Sequence, residues 1–481
     1  MESAHWHSRA GARACGRRLR RGRLASLTVC RGGACRAEEI RFQKAIRLGP
    51  AKRIRYPVDN LVLLSASGWT ARGTIPFQML RTHRVLLFDL DGVLITLGGY
   101  HRALQATVNL QTRRMGLGDL APDEAAIDFL ETGGLTVEWD SSAICLAVLV
   151  TDLWCQDPGL RLPGVWEGIV SAIRTRFGGA HPHPDYFRWG EKICSAVSQG
   201  SPAPRTALDL LLGAAQAVDS GARVEELRSA LEVLLGLTRD FRRSVTMRVF
   251  QHFTLGSEGF RRTYGEEPCF ETPSLLEEYD GPTLPPEETQ DLVSLTRSGE
   301  TRAAVFTLRL TRPALPSILG GEYAPEAEVA LERLGLSGWP VVGFGQLRWL
   351  AGTRNAYSDL YLKPCPAHAL AAIARALGAA EEDALRSASR LLEEDQLTGT
   401  LTDLREEKLA LHVFEDSSSS LRGVEQAVRL LRGQGANVAF HPWGIASTPR
   451  RGLGLKGLGY PVFEKVGQAL TEAGILASAP A

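Results

Sequence analysis

The chain has 481 residues and a mass of 52.3 kDa, with 44% hydrophobic and 23% charged residues. That usage argues against wholesale disorder, collagen-like repeats and an integral membrane protein, and the length suits about three compact units or one domain with a large insertion. The formal charge of +1 conceals an asymmetry: residues 1–78 hold 16 Lys+Arg against 4 Asp+Glu, and the remainder carries a net −11.

Residues 1–78 show no sustained helical or strand period and are expected to form a basic, disordered extension. An Arg-rich, acid-poor start fits a targeting segment or a basic tail. It also fits a chance-open upstream frame in GC-rich coding DNA, since only 7 of the 55 basic residues are Lys; Met79 is then the expected true start. Cys15, Cys30 and Cys35 fall in this extension. Cys145, Cys155, Cys194, Cys269 and Cys365 are scattered without a CxxC pair, so neither a zinc site nor a disulfide framework is expected. No continuous apolar region follows the Arg-rich start, and a cytoplasmic location is the expectation.

From Met79 onward the pattern is α/β. Residues 79–97 contain a first buried strand, Arg84–Asp89. Residues 98–297 are dominated by helical patterns, including His101–Met115, Val165–Phe177, Arg223–Leu237 and Arg242–Phe253, and are too long for a loop; they are expected to form a separate, mainly helical domain. The apolar stretch Ala143–Trp154 lies here. It is too short to cross a bilayer, is interrupted by Asp152, and reads as a buried helix. Residues 298–481 resume the core with strands Ala303–Leu308, Val341–Gly345, Leu409–Glu415 and Asn437–His441. Helical patterns at Pro325–Leu334, Pro366–Leu377, Ala380–Glu393 and Leu421–Arg432 separate or follow them. Strands alternating with helices imply right-handed crossovers and a parallel sheet, with chemistry at the strands' carboxyl ends.

The first strand ends in Phe88-Asp89-Leu90-Asp91-Gly92-Val93-Leu94, two carboxylates at i and i+2 beyond a buried run. One reading is an Asp-Gly turn at a strand end. Another is a hard cation such as Mg²⁺, which accepts a carboxylate plus a backbone carbonyl from such a turn. A third divides the labour, Asp89 attacking phosphorus while Asp91 protonates the leaving oxygen and later activates water.

Three further segments follow in order: Val305-Phe306-Thr307-Leu308-Arg309, Leu362-Lys363-Pro364-Cys365-Pro366 and Val413-Phe414-Glu415-Asp416-Ser417. With the Asp89–Asp91 segment they resemble the four ordered motifs of the haloacid dehalogenase-like phosphatase superfamily. The resemblance implies a Rossmann-like core in two pieces, 79–97 and 298–481, with a helical cap at 98–297. It implies Asp89 as nucleophile, Asp91 as acid/base, Thr307, the Leu308 N–H and Lys363 as phosphate ligands, and Asp89, Asp91, Glu415 and Asp416 around Mg²⁺. The second Asp and the fourth-motif acids favour phosphate-ester hydrolysis over dehalogenation. Two departures stand out: the first two motifs are 218 residues apart, against about a hundred for the common cap, and Lys363 and Glu415 are separated widely enough to hold an extra helix.

Gly98-Gly99-Tyr100-His101 resembles a segment of sugar-phosphate mutases and related sugar phosphatases of that superfamily. Its glycines suit a hinge, and His101 reads first as structural and second as a weak substrate contact. His181-Pro182-His183-Pro184 reads as surface loop. Gly452-Leu453-Gly454-Leu455-Lys456-Gly457 fits GxGxxG but lacks the strand-to-helix context a dinucleotide site needs, and a glycine-rich loop before a terminal helix, Val462–Leu470, is expected. The aromatic and basic residues between Phe241 and Arg262 read as helix packing, so neither a nucleic acid nor a membrane partner is expected. The expected function is Mg²⁺-dependent hydrolysis of a small phosphorylated metabolite, with a phosphomutase or a non-catalytic binding module as alternatives.

Overall fold

The apolar runs within Thr82–Phe88, Thr301–Phe306 and Lys408–Glu415 become strands buried largely on both faces. The six strands are β1 (Thr82–Phe88), β2 (Thr301–Phe306), β3 (Val341–Val342), β4 (Lys408–Glu415), β5 (Asn437–Ile445) and β6 (Val462–Phe463). They form one sheet in the order β3-β2-β1-β4-β5-β6, every neighbouring pair parallel. The structure, a computed structural model, describes residues 82–197, 202–219, 221–312, 324–356 and 360–477, which belong to one compact unit. The basic segment 1–78 and Met79 lie outside the described residues.

Between β1 and β2 run α1 (Gly98–Arg114), α2 (Glu124–Thr132), α3 (Glu138–Gln156), α4 (Trp166–Phe177), α5 (Tyr186–Val197), α6 (Ala203–Gln216), α7 (Ala222–Leu235), α8 (Met247–Tyr264), α9 (Leu275–Tyr279) and α10 (Pro286–Arg297). The chain then adds α11 (Glu326–Arg333), α12 (Phe344–Thr353), α13 (Pro366–Ala376), α14 (Glu381–Glu394), α15 (Ser418–Gly433), α16 (Pro449–Lys456) and α17 (Val466–Glu472). The fold is thus α/β with a large helical insertion. Helix α3 is buried around most of its circumference, Glu138 and Asp140 included, and packs against α1, α5, α6 and α7 within that insertion. Its Trp139 packs edge-on against Phe344 at 5.9 Å and Tyr100 at 6.5 Å, joining the insertion to the core in one apolar cluster. No described helix is long and apolar enough to cross a membrane.

Four expectations need correction. The run Val341–Gly345 yields only two strand residues, because the chain turns at Gly343 into α12; a Cβ at Gly343 would lie 2.5 Å from Thr311 Cγ2. The helix expected from Arg242 starts at Met247, after turns stabilised by Asp240, whose carboxylate accepts the Arg242 and Arg243 N–H groups. The glycine pattern at 452–457 is not a loop: Gly452 and Gly454 lie inside α16, started by the Thr448 cap and Pro449 in the first turn. The expected terminal helix Val462–Leu470 divides into β6 and α17.

Candidate active site

The strand order reverses direction between β1 and β4, and ligands of open parallel sheets bind in the crevice beyond the strand ends at such a point. Phe88 is in register with Phe414 on β4 and Val305 on β2. The Asp89 N–H donates to the Phe414 carbonyl at 2.9 Å, so Asp89 and Glu415 leave adjacent strands side by side. Lys363, just before α13, reaches both: its Nζ is 2.9 Å from Asp89 Oδ1 and 2.8 Å from Glu415 Oε2. Ser420 Oγ donates to the same Glu415 oxygen at 2.9 Å, and the Ser417 N–H to the other at 3.2 Å. One oxygen each from Asp89, Glu415 and Asp416 lies within 4.8 Å of the others, an all-oxygen set that suits a small hard cation. Gly92 makes the turn at φ +72°, where a Cβ would lie 2.5 Å from Asp416 Oδ2. A side chain there is excluded both by backbone conformation and by space.

Thr307 follows β2. It is fully buried, and its hydroxyl accepts the Arg309 N–H at 3.1 Å. The next N–H, of Leu308, has no partner among the described residues and remains available to an anion.

The carboxylate of Asp91 stands apart from the three-acid set. Arg309 grips it through Nε, at 2.9 and 3.0 Å, and through Nη2 at 2.7 Å. Nη2 also donates to Asp280 Oδ2 at 2.6 Å, and Asp280 Oδ1 accepts the Gly99 N–H at 2.8 Å. The catalytic-candidate acid is therefore wired through Arg309 and Asp280 to both chain crossings that carry the insertion. Arg309 also covers the Tyr100 ring, whose hydroxyl donates to the buried Glu326. With Asp280 and Glu326, Arg309 lines a cavity of about 390 Å³.

His101 is held between two carboxylates, with Nδ1 2.7 Å from Glu124 and Nε2 2.8 Å from Glu131. Both of its ring nitrogens are thereby engaged. Glu131 in turn pairs with Arg451 of α16, which also binds Asp128, at 3.1 Å, and Asp416. Arg451 thereby joins the insertion to the three-acid set. His181 and His183 lie in an irregular loop, and neither belongs to a metal-like group among the described residues. Sequence reading missed the roles of Asp280 and Arg451 and quoted Arg309 only as part of a segment. Each acts through partners distant in the chain, so no local pattern marks it.

Burial sets the protonation pattern. It pushes the Asp416 carboxyl up to about 7, with Arg451 opposing and Asp89 reinforcing the shift. Burial and then Asp89 raise Glu415 well above the usual carboxylate range, against Lys363. Asp91 is raised by burial despite Arg309. For Lys363 burial works the other way, favouring the neutral amine, but Asp89 and Glu415 overcome it and hold the ammonium charged. Burial likewise disfavours charge on His101, yet Glu124 and Glu131 raise it to about 10. Acids outnumber bases here, and a divalent cation would relieve that excess.

No protein-family model matches the chain, and no curated protein matches it either. Two solved structures align with it. A structural-genomics target, ZR25, matches 83% of this chain and 99% of its own at a TM-score of 0.50 and 14% identity. The likeness is one of fold. The phosphatase Tt82 from Thermococcus thioreducens aligns over 74% of this chain and 91% of its own, with a TM-score of 0.31 and 18% identity, too low to carry any argument about this chain.

Proposed function

We propose that the chain is a Mg²⁺-dependent phosphohydrolase of the haloacid dehalogenase-like type, cleaving a small phosphomonoester through an aspartyl-phosphate. The observation that carries this reading is the convergence of Asp89, Lys363, Glu415 and Asp416 from three separate segments at the sheet's switch point. In this reading Asp89 attacks phosphorus, the ester P–O bond breaks, and Asp91 supplies the proton taken by the departing alcohol. Asp91 then removes a proton from the water that attacks the aspartyl-phosphate, releasing inorganic phosphate and restoring Asp89. Lys363 and the Leu308 N–H offset charge on the phosphoryl oxygens, with the Thr307 hydroxyl beside them. Asp89, Glu415 and Asp416 would hold Mg²⁺, which supplies further charge neutralisation when bound.

The test is phosphate release from a panel of phosphorylated metabolites with and without Mg²⁺, paired with a sugar-phosphate isomerisation assay for mutase activity. Asp89→Asn, nearly isosteric but unable to form the acyl-phosphate, should abolish turnover while keeping the fold. Rapid release by a well-folded Asp89→Asn protein would sink the assignment, and isomerisation in place of release would replace hydrolase by mutase.

A further inference from the structure

Arg451, in the first turn of α16, spreads one guanidinium over three acids. Its Nε lies 3.1 Å from Asp128 Oδ1, Nη2 donates to Glu131 Oε2 and Nη1 donates to Asp416 Oδ2. Asp128 and Glu131 stand three residues apart on α2 and so share a face of that helix. Asp416 belongs instead to the set with Asp89 and Glu415. Each helix is seated on its own side of the junction, α2 against α5 in the insertion and α16 against β5 of the sheet. With Arg451 10% exposed and Asp416 13%, solvent and salt screen the pair poorly.

Arg451 and a divalent cation call on the same carboxylate. A guanidinium beside Asp416 repels a second positive charge, and an Asp416 carboxylate shared with a dication is a weaker acceptor for the guanidinium. We infer that Arg451 competes with the divalent cation for Asp416, so that a loaded three-acid set lets the insertion go from α16. The inference rests on the phosphohydrolase reading, in which Asp416 is a metal ligand, and deepens it by naming a regulation of that site. Release strands no acid of the insertion: Glu131 keeps His101 at 2.8 Å, and Asp128, 23% exposed, regains water. Lys363 differs, since it meets the acids from within the core through Asp89 and Glu415. The coupling is reciprocal, because the factor by which the Arg451 contacts weaken cation binding is the factor by which the cation weakens those contacts.

The experiment measures Mg²⁺ binding by calorimetry, and amide hydrogen exchange with Mg²⁺ and with a chelator, in the unmutated full chain, Arg451→Met and Arg451→Lys. Arg451→Met should bind Mg²⁺ at least about tenfold more tightly, through the lost coupling and the removed charge together. In the unmutated protein, saturating Mg²⁺ should speed exchange at α2 by about fivefold or more, and leave the Gly99 amide, held by Asp280, unchanged. That response should vanish in Arg451→Met, where the contacts are already gone. Arg451→Lys keeps the charge but not the three-way fork, so it should also lose the α2 response, and it carries the comparison if the Met variant fails to fold. Mg²⁺ binding to the unmutated protein without an α2 response overturns the inference, as does unchanged or weaker binding by a folded Arg451→Met protein. Either result alongside Mg²⁺-dependent phosphate release leaves the phosphohydrolase reading standing alone. If none of the three proteins binds Mg²⁺, that reading and this inference fall together.

Discussion

Two arginines connect the helical insertion to acids of the candidate site, and they do so in opposite settings. Arg309 is 1% exposed and holds Asp91 together with Asp280, itself part of the chain crossing. Arg451, 10% exposed, spans between elements with no covalent tie at that point, α16 on one side and α2 on the other. The same side chain therefore serves as a fixed hinge pin in one place and a separable clasp in the other. The acids are about equally buried at the two junctions, so the difference lies in what remains after the cation is removed: Asp91 and Asp280 are left without a base, whereas Glu131 keeps His101 and the Asp416 carboxyl already stands at about 7.

Arg309→Met gives the sharpest test of that contrast. Leaving Asp91 and Asp280 buried without a cation should destabilise the fold by about 3–5 kcal/mol, measured by denaturant unfolding. A loss below about 1 kcal/mol, the size of an exposed pair, would break the distinction between the junctions.

Arg451→Met should cost less, about 1–2 kcal/mol, because His101 still pairs with Glu131 and the Asp416 carboxyl can hold a proton. Hydrogen exchange should rise at α2 while the Gly99 amide, held by Asp280, stays protected. Equal loss of protection at both places would show that the two junctions open as one.

A third test is the pH dependence of the cation-free protein. The Asp416 carboxyl stands at about 7 in the folded chain, against an ordinary unfolded value near 4. Between those values the folded chain keeps a proton that the unfolded chain releases, so stability should fall as pH rises through this window and level off above it. Melting temperature measured from pH 4.5 to 8 in a chelator checks the sign, and Asp416→Asn should flatten that component. A rising contribution from Asp416 would mean that Arg451 outweighs burial at the clasp.

The parts of the fold legible in the sequence are those where burial is strongest. Val85–Phe88 reads as a strand because both faces are covered and no polar residue interrupts it, and Leu411–Phe414 does so although the buried His412 falls within it. The two-residue strand β6 has no such run. Helix α16 was hidden by its glycines, although Thr448 and Pro449 mark its start; Leu455, fully buried, gives the segment a packing reason to be helical that propensity alone does not reveal. At the site, Asp89, Lys363, Glu415 and Asp416 were legible because each lies in a motif at a strand end or helix start. Asp280 and Arg451 were not, since they meet partners 181 and 320 residues away.

The two crossings of the chain touch: Ile95 bridges Pro282, and the Thr96 N–H donates to the Gly281 carbonyl at 2.9 Å. Topologically the insertion is a closed loop whose neck is already sealed. Closing such a loop costs entropy that grows only with the logarithm of its length, about 0.6 kcal/mol for each doubling. The sheet therefore carries an insertion of this length at little extra closure cost, because the neck at Ile95 and Pro282 brings the two crossings together.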